Sequence, residues 1–359
     1  MDEYTPYEER AYWLAFSQCY GIGAVRFRLL LAYFSSAKTA WEAPLSALQA
    51  SGIGAMIARN VDAFRRQYSF EQAQQQLAKK NVWFVTLDDS SYPPLLKKSK
   101  NPPIILYGKG DQSLLLHKAT VAVVGTRKVT EYGKHVTELL VRELAVAGFC
   151  IVSGLALGVD AIAHQATLAA GGKTIAVLGS GVDICTPQEN TALYSHILEN
   201  SGAIISEYPL GTQPTKGSFP SRNRIIAGLS HGILVTEGAE DSGSLITARD
   251  GFANNRKVFA VPGPITSSVS RGPIALIAEG AVMVTGDSKK GNKKQYSSES
   301  KEEQSILCLL QEQSLSFDEL TKRTNISSSR IGAVLSLMEM KGIICSLDGG
   351  LFKLRIDDA

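Results

Sequence analysis

Residues 150–160 read Cys150-Ile151-Val152-Ser153-Gly154-Leu155-Ala156-Leu157-Gly158-Val159-Asp160, an apolar run followed by a loop that contains two glycines. The apolar run predicts a β-strand at Cys150–Ser153, and its continuous hydrophobicity is typical of a strand buried on both faces of a parallel sheet. After the glycines, apolar residues at helical spacing predict a helix over Val159–Ala170. Strand, glycine loop and helix together form the repeating unit of a parallel α/β sheet.

The same alternation of strand and helix continues on both sides of this stretch. It predicts a Rossmann-like, doubly wound and mostly parallel sheet between residues 81 and 287. A ligand of such a sheet binds beyond the carboxyl ends of the strands, where the loops gather. The other predicted strands are Val82–Leu87, Val121–Val124, Thr174–Leu178, Ala203–Ser206, Gly232–Thr236, Val258–Val261 and Ala281–Val284, and the other predicted helices are Gly133–Ala147, Leu193–Glu199 and Ser244–Asn254.

Residues 1–80 form a helical zone in which one tripeptide occurs twice. Gly21-Ile22-Gly23 and Gly52-Ile53-Gly54 each precede an apolar helical segment. This is the turn of a helix-hairpin-helix, whose free amides bind phosphate, but small helical interaction modules use the same turn for packing. We therefore expect an N-terminal helical domain at 1–80 and leave both roles open.

The chain changes character again beyond residue 287. Residues 288–303 are polar and charged, which is typical of a linker. Residues 304–359 then predict a winged helix, whose third helix carries just Arg330 and Lys341 as cations, which favours protein contacts over DNA contacts. Its predicted elements are helices at Ile306–Leu310, Phe317–Thr324 and Ser327–Lys341, strands at Ile343–Leu347 and Leu351–Leu354, and a Gly349-Gly350 turn.

Composition restricts the classes of function that this chain can have. A net charge of +3 over 359 residues means that a nucleic-acid site has to be a local concentration of positive charge. The five cysteines show no paired spacing and lie mostly in apolar segments, which indicates reduced thiols, not disulfides or a zinc site. Without a membrane-length apolar run or a signal peptide, the sequence predicts a cytoplasmic protein with no metal and no cofactor.

Four of the predicted strands end in loops rich in glycine and hydroxyl residues. Gathered at one end of a sheet, such loops offer a row of backbone donors for phosphate oxygens. The first loop is not a G-x-G-x-x-G fingerprint and no Walker lysine follows it, which argues against a dinucleotide or NTPase site. The candidate binding residues are Gly125, Thr126 and Arg127 in the first loop, Ser153 and Gly154 in the second, Gly179, Ser180 and Gly181 in the third, and Ser242, Gly243 and Ser244 in the fourth.

Aromatic, cationic and amide side chains follow one another between residues 216 and 224. An aromatic ring among cations suits single-stranded nucleic acid, because every base offers a face for stacking and every nucleotide carries a phosphate. The alternative is an ordinary helix start, with Asn223 near the cap and Phe219 in the core. On the first interpretation, the candidate DNA-binding residues are Lys216, Gly217, Ser218, Phe219, Arg222, Asn223 and Arg224.

Two groups of ionisable residues could be catalytic. Asp160 and His164 lie four residues apart on one helical face, where we expect a structural hydrogen bond near a helix N-terminus. Glu237, Glu240 and Asp241 share one loop, and because carboxylates repel phosphates, we expect them to point away from a nucleic-acid site. The sequence therefore predicts no catalytic residue.

Taken in order along the chain, these motifs resemble those of the bacterial DNA-processing family DprA, also called Smf. The resemblance is specific over about 100–285 and extends into the flanking domains, the first of which is similar to a sterile-alpha-motif-like module. The motifs that carry it are Gly125-Thr126-Arg127, Ser153 to His164, Gly179 to Asp183, Phe219 to Arg224, Ser242 to Ala248 and Val258 to Gly263.

The resemblance implies a mediator of natural transformation that binds and protects incoming single-stranded DNA. Such a protein loads the RecA recombinase onto the strand, displaces single-strand-binding protein, acts as a homodimer joined through the Rossmann domain, and has no enzymatic activity. It also implies that Arg127 contacts a phosphate, that Lys216 lies beside the DNA path, that a base stacks on Phe219, and that Lys173 is a further basic position.

Two alternatives from other functional classes remain open at this point. The glycine-loop Rossmann domain is similar to that of phosphoribohydrolases, which cleave a nucleotide base from its ribose phosphate. The corresponding loop, Glu240 to Ser244, lacks the Pro-Gly-Gly-x-Gly-Thr pattern of those enzymes. The second alternative is a scaffold in which the two end domains recruit partners.

Overall fold

The computed structural model describes residues 6–284, 301–324, 326–340, 343–347 and 350–354. The chain consists of two compact units, Met1–Thr285 and Gly286–Ala359. Most of the predicted linker at 288–303 lies outside the described residues, and residues 301–303 begin the first helix of the second unit. Within the described residues, no helix is long and apolar enough to span a membrane.

Six helices form the N-terminal part of the first unit, and they are packed onto the sheet. The turn at Gly21 has φ +90°, and a Cβ there would overlap the Ile57 side chain of the fifth helix, so the close approach of this turn to that helix requires glycine. The helices share a core with Ile105 and Tyr107 of the adjacent sheet edge, and the Ser17 hydroxyl lies 2.6 Å from the Tyr107 hydroxyl. The helices are α1 (Pro6–Gln18), α2 (Ala24–Phe34), α3 (Ala37–Glu42), α4 (Leu45–Ala50), α5 (Ala55–Arg65) and α6 (Phe70–Lys79).

A nine-stranded sheet forms the centre of the first unit, in the order β1-β2-β6-β5-β4-β3-β7-β8-β9. All strand pairs are parallel except β1–β2 and β2–β6, so the doubly wound, mostly parallel sheet predicted from the sequence is confirmed. The strands are β1 (Trp83–Thr86), β2 (Ile105–Gly110), β3 (Thr120–Val124), β4 (Cys150–Ser153), β5 (Thr174–Val177), β6 (Ala203–Ser206), β7 (Gly232–Val235), β8 (Lys257–Ala260) and β9 (Val282–Met283).

Helices cover both faces of this sheet. Alternate strand residues point to opposite faces, so Val124 packs beneath α11–α13 and Val123 beneath α8 and α9. A third cluster packs α9 and α10 on β5 and β6. These helices are α7 (Pro94–Lys97), α8 (Glu131–Val146), α9 (Val159–Ala169), α10 (Thr191–Glu199), α11 (Ser218–Leu229), α12 (Gly243–Ala253) and α13 (Arg271–Ala278).

The strand order reverses between β3 and β7. From β3 the chain winds through β4, β5 and β6 in one direction, and α11 then returns it across the sheet to β7, β8 and β9. Loops after β3 and β7 therefore diverge, which leaves a crevice at the carboxyl ends of the strands. The fold places the candidate site at this crevice.

The second unit is a winged helix, as predicted. Leu320, Ile331 and Met338 form its core together with Ile344. Leu315–Ser316 adds a third strand to the predicted hairpin, while Gly349 of the predicted turn lies outside the described residues. The elements are α14 (Lys301–Glu312), β10 (Leu315–Ser316), α15 (Phe317–Thr324), α16 (Ser328–Met340), β11 (Ile344–Leu347) and β12 (Leu351–Leu354).

Candidate nucleic-acid interface

An open cavity of about 680 Å³ lies at the crevice between the loops after β3 and β7. The first turns of α11 and α12 form part of its wall, so two helix N-termini with their partial positive charge meet there. Its side chains include cations, an aromatic ring, an amide and a carboxylate, contributed by Arg127, Lys128, Lys216, Phe219, Asn223 and Asp241.

Arg127 and Phe219, which lie 92 residues apart in the numbering, are in contact at the rim of this cavity. The guanidinium carbon of Arg127 lies 5.4 Å from the centroid of the Phe219 ring, within cation–π distance. The Arg127 side chain is exposed, whereas the ring is half-buried. A positive charge and a stacking surface are thus adjacent, which is the combination that binds a nucleotide of a single strand.

The loop that carries Arg127 is held by backbone hydrogen bonds to two neighbouring loops. The Thr126 amide donates to the Glu237 carbonyl at 2.7 Å, and the Val159 amide donates to the Thr126 carbonyl at 3.1 Å. Gly158 has φ +76°, and a Cβ at this position would overlap the Thr126 carbonyl oxygen. Glycine at 158 therefore allows the loop before α9 to approach the arginine loop closely.

Phe219 is positioned by the start of α11. Gly217 precedes the helix, and the Ser218 hydroxyl donates to the Thr215 carbonyl at 2.9 Å, which closes the preceding turn. The ring packs against the loop after β5, since a Cβ on Gly179 would lie 3.3 Å from the ring. Lys216 lies just before this turn and is exposed. Residues 216–219 thus present a cation and a ring side by side, while Ser218 has a structural partner.

Arg222 has a different environment from the one the sequence suggests. A phosphate contact is predicted, but the side chain is 4% exposed and its guanidinium donates to the carbonyls of Gly154, at 2.5 Å, and of Val177. It therefore connects α11 to the ends of β4 and β5. Burial lowers the pKa of Arg222 and raises that of nearby Asp160, and the opposite charges of the two side chains oppose both shifts. Arg222 positions the site from within.

Arg224 and Asn223, for which the sequence predicts DNA contacts, are also engaged internally. Arg224 forms an ion pair with Glu207 and donates to the Asn101 carbonyl at 2.8 Å. Asn223 lies within α11, not at its cap, and its amide donates to the Gly243 carbonyl at 3.1 Å. These bonds fix α11 against α12 and against the segment that follows α7.

The glycine-rich loops use many of their donors within the fold, so the row of free amides expected from the sequence is incomplete. The Gly154 amide donates to the Asp160 carboxylate at 3.1 Å, and the Ser153 hydroxyl donates to the Val123 carbonyl at 2.7 Å. In the third loop, Gly181 donates to the Thr212 carbonyl and Ser180 to the Ile184 carbonyl. The loops after β3 and β7 line the cavity, with Gly125, Thr126, Ser242, Gly243 and Ser244.

Lys173 lies at the end of the sheet opposite the cavity. It directly precedes β5, and its carbonyl accepts the Ile151 amide at the amino ends of the strands. Four residues of extended strand separate it from the cavity edge, about 13 Å. Lys173 therefore does not belong to the cavity that contains Arg127.

The acidic residues divide between two environments. Glu237 is buried and accepts the Thr130 amide at 2.9 Å and the Thr130 hydroxyl at 2.6 Å, which caps the start of α8. Asp241, which the sequence predicts to point away, lines the cavity. Ser242 caps α12, because its hydroxyl accepts the Ser244 amide at 3.4 Å.

His164 and Asp160 are not bonded to each other. The His164 ring lies 2.7 Å from the Thr174 hydroxyl, and Asp160 accepts the Gly154 amide instead. Complete burial lowers the pKa of His164 to about 3, and the charge of Arg222 acts in the same direction. Within the described ranges, no cluster of three His, Cys, Asp or Glu side chains is placed to hold a metal ion.

Lys128 and Thr247 are among the cavity residues that were not candidates derived from the sequence. Lys128 is exposed beside Arg127, and its charge in the arginine loop was the available signal. Thr247 faces the cavity from the second turn of α12, where the sequence contains nothing that distinguishes it from other helical positions.

Comparison with protein families gives two matches. The model of the family described as DNA recombination-mediator protein A matches residues 83–293, and the DprA winged helix domain model matches residues 292–350. Among curated relatives, Protein Smf of Synechocystis is 39% identical over 288 residues, which cover 78% of this chain and 71% of the relative. DNA processing protein DprA of Bacillus subtilis is 44% identical over 197 residues, which cover 55% of this chain and 66% of the relative.

Two solved structures have a similar fold. The DprA structure from Streptococcus pneumoniae has a TM-score of 0.66 and 34% identity, and the match covers 79% of this chain and 96% of that chain. DNA processing protein A from Helicobacter pylori, whose structure is described for its single-stranded DNA binding mode, has a TM-score of 0.51 and 36% identity, over 56% of this chain and 90% of that chain.

Proposed function

This chain belongs to the DNA recombination-mediator protein A family, and we propose that it binds single-stranded DNA and delivers the strand to the RecA recombinase. The observation that carries the DNA-binding part is the contact between Arg127 and Phe219 at the rim of the cavity. A fixed cation beside an aromatic ring fits one nucleotide of a flexible strand, whereas the bases of a duplex have to unstack from each other before they can stack on a side chain.

We assign the phosphates to the cationic side of the cavity. Arg127, Lys128 and Lys216 are exposed there, and the start of α12 adds its partial positive charge. Phe219 supplies the stacking surface, which contributes about 1–3 kcal/mol per base. The related protein from Helicobacter pylori, described for its single-stranded DNA binding mode, supports the proposal that this chain binds single-stranded DNA.

We propose that the protein is a homodimer joined through its Rossmann domain. Strand β9 is an edge of the sheet, and its residues Val282 and Met283 are 51% and 50% exposed. Ile274 of α13 is partly exposed nearby in the chain, and an edge strand with apolar side chains is suited to pair with another copy. We expect Met283→Glu to convert the dimer to a monomer in sedimentation, and an unchanged sedimentation coefficient would place the interface elsewhere.

We propose delivery to RecA and displacement of single-strand-binding protein because the family is described as a recombination mediator. We propose that the protein binds incoming transforming DNA in the cytoplasm and that it catalyses no reaction. The delivery step is measured by the assembly of RecA on oligo-dT that is precoated with single-strand-binding protein. We expect this protein to shorten the lag before RecA begins strand-dependent ATP hydrolysis, and an unchanged lag would restrict the function to DNA binding.

Fluorescence anisotropy of labelled oligo-dT, compared with a duplex of equal length, tests the DNA-binding proposal. We expect tighter binding to the single strand, weakened by Arg127→Ala and by Phe219→Ala. Lys118→Ala is the matched control, because Lys118 is exposed at the amino edge of β3, away from the cavity. Equal affinity for both DNAs, or equal reductions in all three variants, would contradict the proposed site.

A further inference from the structure

One wall of the cavity has the wrong charge for a phosphate. Asp241 lines the same cavity as Arg127, Lys128 and Lys216, and its side chain is exposed. Among the described residues, no hydrogen bond or ion pair connects this carboxylate to another side chain. A free carboxylate repels a phosphate at the same site, so the backbone of a bound strand has to follow the opposite wall.

The position of Asp241 relative to the stacking ring follows from the bonds between α11 and α12. Asn223 lies four residues after Phe219, one turn along the same helix, and its amide donates to the Gly243 carbonyl at 3.1 Å. Gly243 is two residues from Asp241. The loop that carries the carboxylate is thus bonded to the helix that carries the ring, and both side chains line the same open volume.

We propose that Asp241 reads the edge of the base that stacks on Phe219 and makes this subsite prefer guanine. The inference rests on the proposed binding of single-stranded DNA. With the phosphates at Arg127, Lys128 and Lys216, the base projects across the cavity, and its Watson–Crick edge meets the wall that contains Asp241. An unpaired base in a single strand has this edge free for hydrogen bonds.

The chemistry of a carboxylate selects among the bases. Its two oxygens accept hydrogen bonds and donate none. Guanine presents two adjacent donors on this edge, the N1–H and the 2-amino group, and can satisfy both oxygens at once. Adenine presents one donor and an acceptor that the carboxylate repels. Because both are purines with similar stacking surfaces, the difference between them isolates the edge contact from stacking on Phe219.

The test uses labelled thymidine strands in which every third base is guanine, adenine or hypoxanthine. Hypoxanthine keeps the N1–H of guanine and lacks the 2-amino group. We expect the guanine strand to bind about tenfold more tightly than the adenine strand, with hypoxanthine between them. In Asp241→Asn the guanine-to-adenine ratio is expected to fall to about one. The matched control is Glu240→Gln, which removes one exposed negative charge from the same loop at a residue that does not line the cavity.

The outcomes separate this inference from the function on which it rests. Loss of the ratio in Asp241→Asn and its retention in Glu240→Gln supports base reading by Asp241. A ratio near one in the unaltered protein, or a ratio that survives in Asp241→Asn, overturns the base reading while single-strand binding stands. Failure to bind any of the three strands overturns the proposed function and this inference together.

Discussion

The guanidinium of Arg127 lies over the ring of Phe219, with its central carbon 5.4 Å from the ring centroid. At an exposed site such a cation–π contact contributes about 0.5–1 kcal/mol, which is less than the stacking of a base. A base can therefore replace the guanidinium on the ring, which leaves Arg127 close enough to contact the adjoining phosphate. Charge and stacking act on the same nucleotide, although their energies respond differently to salt.

This difference gives a prediction for two variants of the rim. Arg127→Gln should reduce the dependence of the logarithm of the association constant on the logarithm of salt concentration by about 0.7, because one phosphate fewer is neutralised. Phe219→Leu should weaken binding by about 1–3 kcal/mol with the salt slope unchanged, because stacking releases no counterions. Anisotropy titrations of oligo-dT over a salt series measure both quantities, and equal slopes in the two variants would contradict the division of roles.

Removing the charge of Arg222 should lower the stability of the fold, whereas removing the charge of Arg127 should lower the affinity for DNA. Arg222→Met leaves the Gly154 and Val177 carbonyls without their donor and Asp160 without its cation, and should cost about 3–5 kcal/mol of unfolding free energy. Arg127→Met, at an exposed side chain, should keep the stability and reduce DNA affinity. Urea unfolding and oligo-dT binding of both variants test this prediction. An Arg222→Met protein as stable as the parent would mean that the guanidinium is not part of the fold.

Gly158→Ala should displace the arginine loop. The substitution strains a backbone at φ +76° and also drives a Cβ into the Thr126 carbonyl. We expect a decrease of about 1–3 kcal/mol in stability together with weaker binding of oligo-dT. The matched control is Gly148→Ala, where φ is +84° and a Cβ meets nothing within 4 Å, so that strain is present without the overlap. Reduced DNA binding in both variants would assign the effect to general destabilisation.

His164 should make the stability fall as the pH is lowered. Burial holds its folded-state pKa at about 3, below the ordinary value of 6.5, so the unfolded chain binds the proton first. Its contribution is fully present above about pH 6.5 and decreases by about 1.4 kcal/mol between about pH 7.5 and 5.5. Urea unfolding at both pH values, in the parent and in His164→Gln, measures it. The variant should lack this part of the pH dependence, and identical pH dependence in both proteins would mean that His164 is not buried as a neutral ring.

Much of the central sheet was predictable because its signal is local. The strands at Cys150–Ser153 and Ala203–Ser206 have the bounds that their apolar runs predict, and β8 differs by one residue at each end. Strand β2 was missed because Gly108 and Gly110 interrupt its pattern. A Cβ on Gly108 would overlap the Trp83 ring, so this glycine is required by packing against β1, which no local pattern shows.

The residues of the site were likewise predictable only in part from the sequence. Arg127 and Phe219 were identified from their chemical types, and the structure places them in contact across 92 residues of numbering. The sequence did not predict the internal partners of Arg222 and Arg224. It also did not predict that Lys173 lies at the amino ends of the strands or that Asp241 lines the cavity. A cation has the same sequence signature whether it binds a phosphate or a buried carbonyl.

Local sequence patterns are sufficient to predict most of the alternating strands and helices of the sheet, although not β2, and with them the end of the sheet at which a ligand is expected to bind. Hydrophobic periodicity and glycine placement act between residues close in the chain, so they can be read one segment at a time. Which of the charged side chains remain available to a ligand becomes apparent only in the folded chain. That outcome depends on carbonyls and carboxylates contributed by β4, β5 and the loop after β6, which only the folded sheet brings within hydrogen-bonding distance of α11.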